Sequence, residues 1–291
     1  MITRVEVKKM YRYEVLAPAG ELNAIVPLIE AGANAVYVGL EGYSSRPQSA
    51  DFTIQDIVTA TQTCHQARVK LHVAINGCIS EKSLDRVYEA LRTLDSIGVD
   101  AVIIADWGIL KNAKKYIKNA EIHASTLLGT YNARTIEYLR KMGVTRVVFS
   151  TNLYIDEINR IINAVPDMEY EIVADGGICF NDNRICELPH SDSNENYTVY
   201  CREIYSLLLA GKMTVAKRIA AKQISSAEIA DAYLELGIRS FKIEGRTVNY
   251  HYIVPRVKKL SRALEVASQQ DHSISSTLHY ISERSRLEER K

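Results

Sequence analysis

From Tyr13 onward the sequence alternates, about eight times over, a short apolar run with a longer stretch of helical periodicity. The short runs fall at residues 13–17, 35–39, 69–75, 101–105, 121–125, 146–149, 170–174 and 240–243. They are apolar and rich in β-branched residues, as parallel strands buried on both faces are. Helices are expected over residues 21–31, from a Thr53 cap to about residue 68, and over 81–97, 107–117, 131–142, 154–165, 226–236 and 252–267. Within them apolar residues recur on one face, as Leu84, Val87, Leu91 and Leu94 do. Three helices end on a glycine before the next strand (Gly32, Gly98, Gly237), where a left-handed cap conformation is expected. Eight strand–helix units in roughly 250 residues predict an α/β chain closed into a (β/α)8 TIM-like barrel. A doubly wound open sheet is the alternative, and no Gly-rich dinucleotide fingerprint supports it.

The barrel domain is expected over residues 1–268, with a polar tail over 269–291. A hydrophobic fraction of 47% is enough for a large core. The formal net charge is +1, so bulk electrostatics argue for neither nucleic acid nor membrane. A lysine patch on one helix (Lys111, Lys114, Lys115, Lys118) reads as a solvated face rather than a basic stripe. No run is long and apolar enough to span a bilayer, and residues 1–10 lack a signal-peptide core. The five cysteines are odd in number and unevenly spaced, unlike a secreted disulfide framework. A cytoplasmic, reducing setting is expected.

In this fold chemistry sits where strands end at their C-termini. The strand ends offer residues 18–20, Gly39 and Glu41 with Arg46 beyond, Asn76 and Cys78, Asp106, His123 and Ser125, Ser150 and Asn152, Asp175, and Glu244 with Arg246. His123, Arg46, Glu244 and Arg246 are the candidate catalytic residues. Arg46, on a long loop, suits an anionic carboxylate. Asp106 is equally suited to cap the helix at Trp107. Glu244 and Arg246 also suit a mutual structural clamp.

After the seventh strand the chain is expected to break on Gly176-Gly177 into a cysteine-bearing loop, residues 176–212, with helical turns near 204–210. Three of the five cysteines, Cys179, Cys186 and Cys201, fall in or beside this segment. Thiols in an irregular loop have little packing role and ask for soft-metal, iron–sulfur or redox chemistry. Cys78 falls on the same end of the barrel, so four thiolates can converge, which suits a [4Fe–4S] cluster or zinc. The C-x6-C-x14-C spacing matches neither a zinc ribbon nor the bacterial ferredoxin run. Cys64, inside a helix, reads as core packing.

Several stretches resemble the peptidase U32 family of collagenase-like proteins. They are Leu16-Ala17-Pro18-Ala19-Gly20-Glu21-Leu22, Ala31-Gly32-Ala33-Asn34-Ala35-Val36-Tyr37-Val38-Gly39, His123-Ala124-Ser125-Thr126 and Phe241-Lys242-Ile243-Glu244-Gly245-Arg246. Gly176 to Cys179, followed by Cys186, is similar to the family's cysteine signature. The resemblance implies one of two activities: proteolysis, or oxygen-independent hydroxylation of a ubiquinone precursor or an RNA base with prephenate as oxygen donor in some members. In the hydroxylating members four cysteines hold a [4Fe–4S] cluster. Cys179, Cys186 and Cys201 match three of them. The fourth family position falls near Tyr197 or Ser225, neither a thiol. Either Cys78 completes the set, or another ligand does, or the cluster is absent.

An iron–sulfur oxidoreductase acting on a small molecule or RNA base is therefore the leading expectation. A peptidase, or a non-catalytic partner subunit of a heterodimer, are the alternatives. Self-association as a homodimer is also compatible with the resemblance. No Ser/His/Asp order and no H-E-x-x-H supports the peptidase.

Overall fold

The computed structural model describes residues 13–45, 50–178 and 223–269, together with short backbone segments between 204 and 218. Eight parallel strands close into a ring: β1 (Glu14–Pro18), β2 (Ala35–Leu40), β3 (Lys70–Ile75), β4 (Ala101–Ile104), β5 (Glu121–Ala124), β6 (Arg146–Val148), β7 (Glu169–Gly177) and β8 (Ser240–Ile243). Each pairs with the next, and β1 pairs with both β2 and β8, which completes the barrel.

Among the described residues, eight α-helices cover the outside: α1 (Ile25–Glu30), α2 (Ile54–Gln66), α3 (Leu84–Ile97), α4 (Trp107–Ala113), α5 (Ala133–Lys141), α6 (Ile155–Ala164), α7 (Ala230–Glu235) and α8 (Tyr250–Gln269). Local sequence sets their limits. The Thr53 hydroxyl accepts from the Asp56 amide at 3.1 Å while Asp56 accepts the Thr53 amide at 3.0 Å, a capping box that starts α2. Asp106 caps α4 through a 2.9 Å bond from the Ile109 amide. Val87, Leu91 and Leu94 turn α3 onto the sheet, and Gly98 ends it at φ +87°.

Strand side chains alternate between two environments. Outward residues such as Val36, Val38, Val73, Ile122, Ile172 and Phe241 join the helices in one apolar layer. Cys64 belongs to that layer, as its helical position suggested, and burial pushes its thiol up to about 12. Inward residues are of another kind. A small apolar cluster (Leu16, Ala35, Tyr37, Ala74, Ile103) sits on one side of the barrel interior. Beside it are Glu14, His72, His123, Arg146, Glu171, Ser240 and Lys242.

The seventh unit departs from the expectation. β7 does not break at Gly176-Gly177 but runs through both, and Gln223–Ser225 pairs with its end antiparallel. The reason is local. A Cβ at Gly176 would meet the Glu244 side chain at 2.8 Å, so the bare backbone lets the strand pass close to Glu244. The expected turns near 204–210 are instead short strands. Ile204–Tyr205 pairs antiparallel with Lys217–Arg218, and Leu208–Leu209 with Lys212–Met213. No helix among the described residues is long and apolar enough to cross a membrane.

Candidate active site at the barrel mouth

The pocket at the C-terminal ends of the strands is lined by Tyr37, Asn76, Ser125, Thr126, Lys242, Glu244 and Arg246, among others. Strand parity explains the set. Tyr37 on β2 and Lys242 on β8 point inward, and Asn76, Ser125, Glu244 and Arg246 follow directly on β3, β5 and β8. Lys242 is nearly buried, with its Nζ 4.2 Å from the centre of the Tyr37 ring and 3.3 Å from Glu171 Oε1. The Tyr37 hydroxyl donates to the Ile243 carbonyl at 3.1 Å, which fixes the ring under the ammonium.

Arg246 is held on the other side. It donates to Asp51 Oδ1 at 3.1 Å and to Ser44 Oγ at 3.0 Å, and Ser44 itself donates to Asp51 at 2.6 Å. Burial raises the Asp51 carboxyl, and the bonds from Ser44 and Arg246 act against that rise. The guanidinium passes so close to Gly39 that a Cβ there would collide with its Nη1. A side chain at that point of β2 would have to displace the Arg246 guanidinium from Asp51.

The sequence-predicted residues part company here. Glu244 and Arg246 both line the pocket, with Glu244 bonded to Gly177 and Arg246 to Asp51 and Ser44. Glu244 Oε2 accepts the Gly177 amide at 3.2 Å, and the Glu244 amide donates to the Asp175 carbonyl at 2.8 Å. Glu244 therefore fastens β8 to the point where the cysteine segment leaves β7. Asp175 is taken by Arg256 of α8, whose Nε donates to it at 2.8 Å.

His123 does not reach the rim. It is fully buried inside the barrel, with Nε2 2.8 Å from Glu121 at the opposite, N-terminal end of the same strand. Its ring meets that of His72 edge-on at 5.0 Å. Arg46 lies outside the described residues.

Below the pocket the interior is a charge network. Arg146, 1% exposed at its side chain, donates to Glu169 at 2.9 Å and to Glu171 and Ser240 at 3.2 Å each, and pairs with Glu14 at 2.5 Å. The single Ser240 hydroxyl proton is shared between Glu14 at 2.9 Å and Glu171 at 3.0 Å. Burial disfavours both carboxylates, but the surrounding cations outweigh it. Glu14 is held well below its usual range by His72 and Arg146, and Glu171 by Lys242 and Arg146. His72 and His123 are lowered to about 3, chiefly by burial, with Arg146 adding to it. The network thus reaches the pocket through Glu171, which carries Lys242.

Of the candidate metal ligands, Cys78 is exposed just past β3. β3 and β7 stand opposite each other in the ring, four strands apart either way. Cys179, Cys186 and Cys201 lie outside the described residues, in the segment that leaves on β7 and returns beside it at Gln223–Ser225. Both ends of that segment are thus fixed at the mouth. Among the described residues, no group of three His, Cys, Asp or Glu side chains is placed to hold a metal ion. The chemistry of three thiols in one segment fits a soft metal or an iron–sulfur cluster.

Sequence reading missed Lys242 and Tyr37. Their signal was parity: Lys242 shares the inward register with Ser240, and Tyr37 with Ala35.

Comparison with known proteins agrees with this architecture. The solved structure of the U32 peptidase Mk0906 superposes with a TM-score of 0.55 at 11% identity, covering 82% of this chain and 95% of that one, a likeness of fold. Thiamine phosphate pyrophosphorylase from Pyrococcus furiosus gives 0.52 at 11% identity over 88% of this chain and 98% of its own. By sequence, the chain is 27% identical over 266 residues to tRNA hydroxylation protein P1 of Bacillus subtilis, 87% of this chain and 63% of that protein. It is 31% identical over 179 residues to tRNA hydroxylation protein P of Escherichia coli, 62% of this chain and 40% of that protein. A collagenase of Porphyromonas gingivalis is 23% identical over 87% of this chain and 66% of its own length. The chain thus spans less than two thirds of the two tRNA hydroxylation proteins. Matched to the family's sequence model from residue 20 to residue 290, it belongs to peptidase family U32.

Proposed function

We propose that the chain carries out oxygen-independent hydroxylation of an RNA base, with a small carboxylate bound in the mouth pocket as oxygen donor and an iron–sulfur cluster held by the cysteine segment. The observation that carries this reading is the placement of two cations, Lys242 and Arg246, in the pocket, beside the base of that segment at Gly177. The tRNA hydroxylation proteins among the relatives support the reaction class.

In this reading Lys242 and Arg246 bind the donor's carboxylate groups, as buried cations held by carboxylate partners do. Glu171 and the Tyr37 ring fix the Lys242 ammonium, while Asp51 and Ser44 fix the Arg246 guanidinium. Ser125 and Thr126 stand on the facing wall and orient the reacting partner by hydrogen bonds. Replacing a base C–H by C–OH is a two-electron oxidation. The donor must give up an oxygen atom and take the two electrons. Prephenate, the donor implied by the family resemblance, has carboxylates that match the two cations. Cys179, Cys186 and Cys201 would hold the [4Fe–4S] cluster, with Cys78 as the fourth ligand. When bound, the cluster supplies an electron-transfer or Lewis-acid centre at the mouth.

The test is anaerobic purification with iron and sulfide analysis, followed by mass spectrometry of RNA nucleosides. Iron-bearing protein, with iron lost in C179A and reduced in C78A, supports the ligand set. Iron content unchanged in C179A would remove the cysteine segment from metal binding. The absence of a hydroxylated nucleoside that depends on the chain would remove the reaction.

A further inference from the structure

On the outside of the barrel, two helix faces meet to form one surface. Trp107, Lys111 and Lys114 follow each other at i, i+4 and i+7 through α4 and its C-cap, and so share a face. On α5 the same spacing aligns Arg134, Tyr138 and Lys141. Each of these six side chains belongs to an exposed residue. The two rows touch. The Trp107 and Tyr138 rings are 6.3 Å apart at 39°, and both are substantially exposed, at 37% and 54%. At the other end the Lys114 stem lies over Gly143, where a Cβ would meet it at 2.6 Å.

Charge and place give this face a meaning. It gathers four cations around an aromatic pair, and Glu137 is paired with Arg134 at 3.0 Å. Trp107 opens α4 directly after Asp106 at the mouth, and the pocket-lining Ser125 and Thr126 lead through Gly129 to Asn132, the cap of α5. The face thus begins at the rim of the pocket and runs down the barrel wall. Exposed aromatic rings offer a face on which bases stack whatever the sequence. Phosphates take the flanking lysines. An acidic protein surface would use the lysines but has no need of a ring pair.

We propose that the α4–α5 face docks RNA, stacking bases on Trp107 and Tyr138 and binding phosphates through Lys111, Lys114, Arg134 and Lys141, so that a nucleotide reaches the mouth pocket. The inference rests on the hydroxylation reading, and names where its substrate is held.

The test is fluorescence anisotropy of the full chain with a labelled, unmodified tRNA transcript over a series of salt concentrations. Polyglutamate serves as the competing acidic polymer. W107A/Y138A should weaken binding by about tenfold or more with the salt slope unchanged, as loss of base stacking does. K111E/K114E should weaken it at low salt and reduce the log–log salt slope by between about one and two. Both variants should melt as the wild type does, since the side chains are exposed. RNA binding unchanged in both, with RNA still hydroxylated, would overturn the docking face and leave the hydroxylation reading standing. Polyglutamate binding as tightly as tRNA, with W107A/Y138A without effect, would assign the face to an acidic protein and overturn the proposal. Absence of RNA binding by the wild type would overturn it as well; nucleoside analysis then decides separately whether the hydroxylation reading falls.

Discussion

Arg146 shows how much one residue organises. Its guanidinium joins three carboxylates from two other strands, Glu14 of β1 and Glu169 and Glu171 of β7, inside a barrel where most proteins place branched apolar side chains. Removing one partner of a buried ion network leaves the others uncompensated. Arg146→Met should therefore cost about 3–5 kcal/mol of stability, read as a lower midpoint in urea unfolding. Arg146→Lys should recover only part of this, because a point charge cannot reach several acceptors as a planar fork does. An R146M protein as stable as the wild type would show that the carboxylates simply take up protons. The sequence displayed this residue at the start of a strand, but the strand was recognised by its apolar neighbours. The inward charges sit at every second position, and a reading that counts apolar content averages over that period. The same averaging counted His123 among the rim residues, whereas its ring is fully buried inside the barrel and its Nε2 turns back to Glu121. Glu244 and Arg246 were found because they follow a strand, where exposure to the mouth is set by topology alone. Their partners, Gly177 for one and Asp51 and Ser44 for the other, are distant in sequence and carry no local signal.

At the scale of elements, the eight strands and eight helices were legible in place and order, because each is defined by a local period and a local stop such as Gly98 or the Thr53–Asp56 cap. Their ends were less so: α1 and α7 start four residues later than expected, after a 3-10 turn, and α4 ends four residues earlier. The extension of β7 was not legible, because Gly176 and Gly177 read as a break on any local rule. Pairing with Gln223–Ser225 overrides that rule, and those three residues are too few to show a period. Glu244 secures the junction. Glu244→Ala removes the acceptor of the Gly177 amide, a bond to a carboxylate worth about 1.5–3 kcal/mol. Amide hydrogen exchange at Gly177 and Ile224 should quicken by at least about tenfold, while β3 and β4 keep their protection. Unaltered exchange at Gly177 would mean that the antiparallel pairing holds the segment unaided. Because the segment carries three of the candidate ligands, the same variant links an element's stability to the proposed cluster site.

The whole molecule inherits a pH response from the network, since its members come from β1, β3, β5, β6, β7 and β8 and cannot be released singly. His72 and His123 are lowered to about 3 from an ordinary 6.5, chiefly by burial. Between those values the unfolded chain binds protons that the folded chain refuses. Stability therefore rises with pH across that window and falls as the solution is acidified below about 6.5. Glu14 and Glu171, held below their ordinary 4.5, act in the same sense at lower pH: their contribution is present above 4.5 and is lost as pH falls further. Each buried histidine adds at most about 1.4 kcal/mol per pH unit within the window. Urea unfolding from pH 8 to pH 4 should show stability level above 7 and declining before the carboxylates begin to titrate. In H72Q/H123Q the decline should start near 4.5 instead, since only the carboxylates then remain to take up protons. A wild-type profile that is flat between pH 7 and 5 would mean that the two imidazoles are solvated or already charged in the folded barrel. Glu171 would then no longer be isolated from water, and its hold on the Lys242 ammonium beneath the mouth would weaken with it.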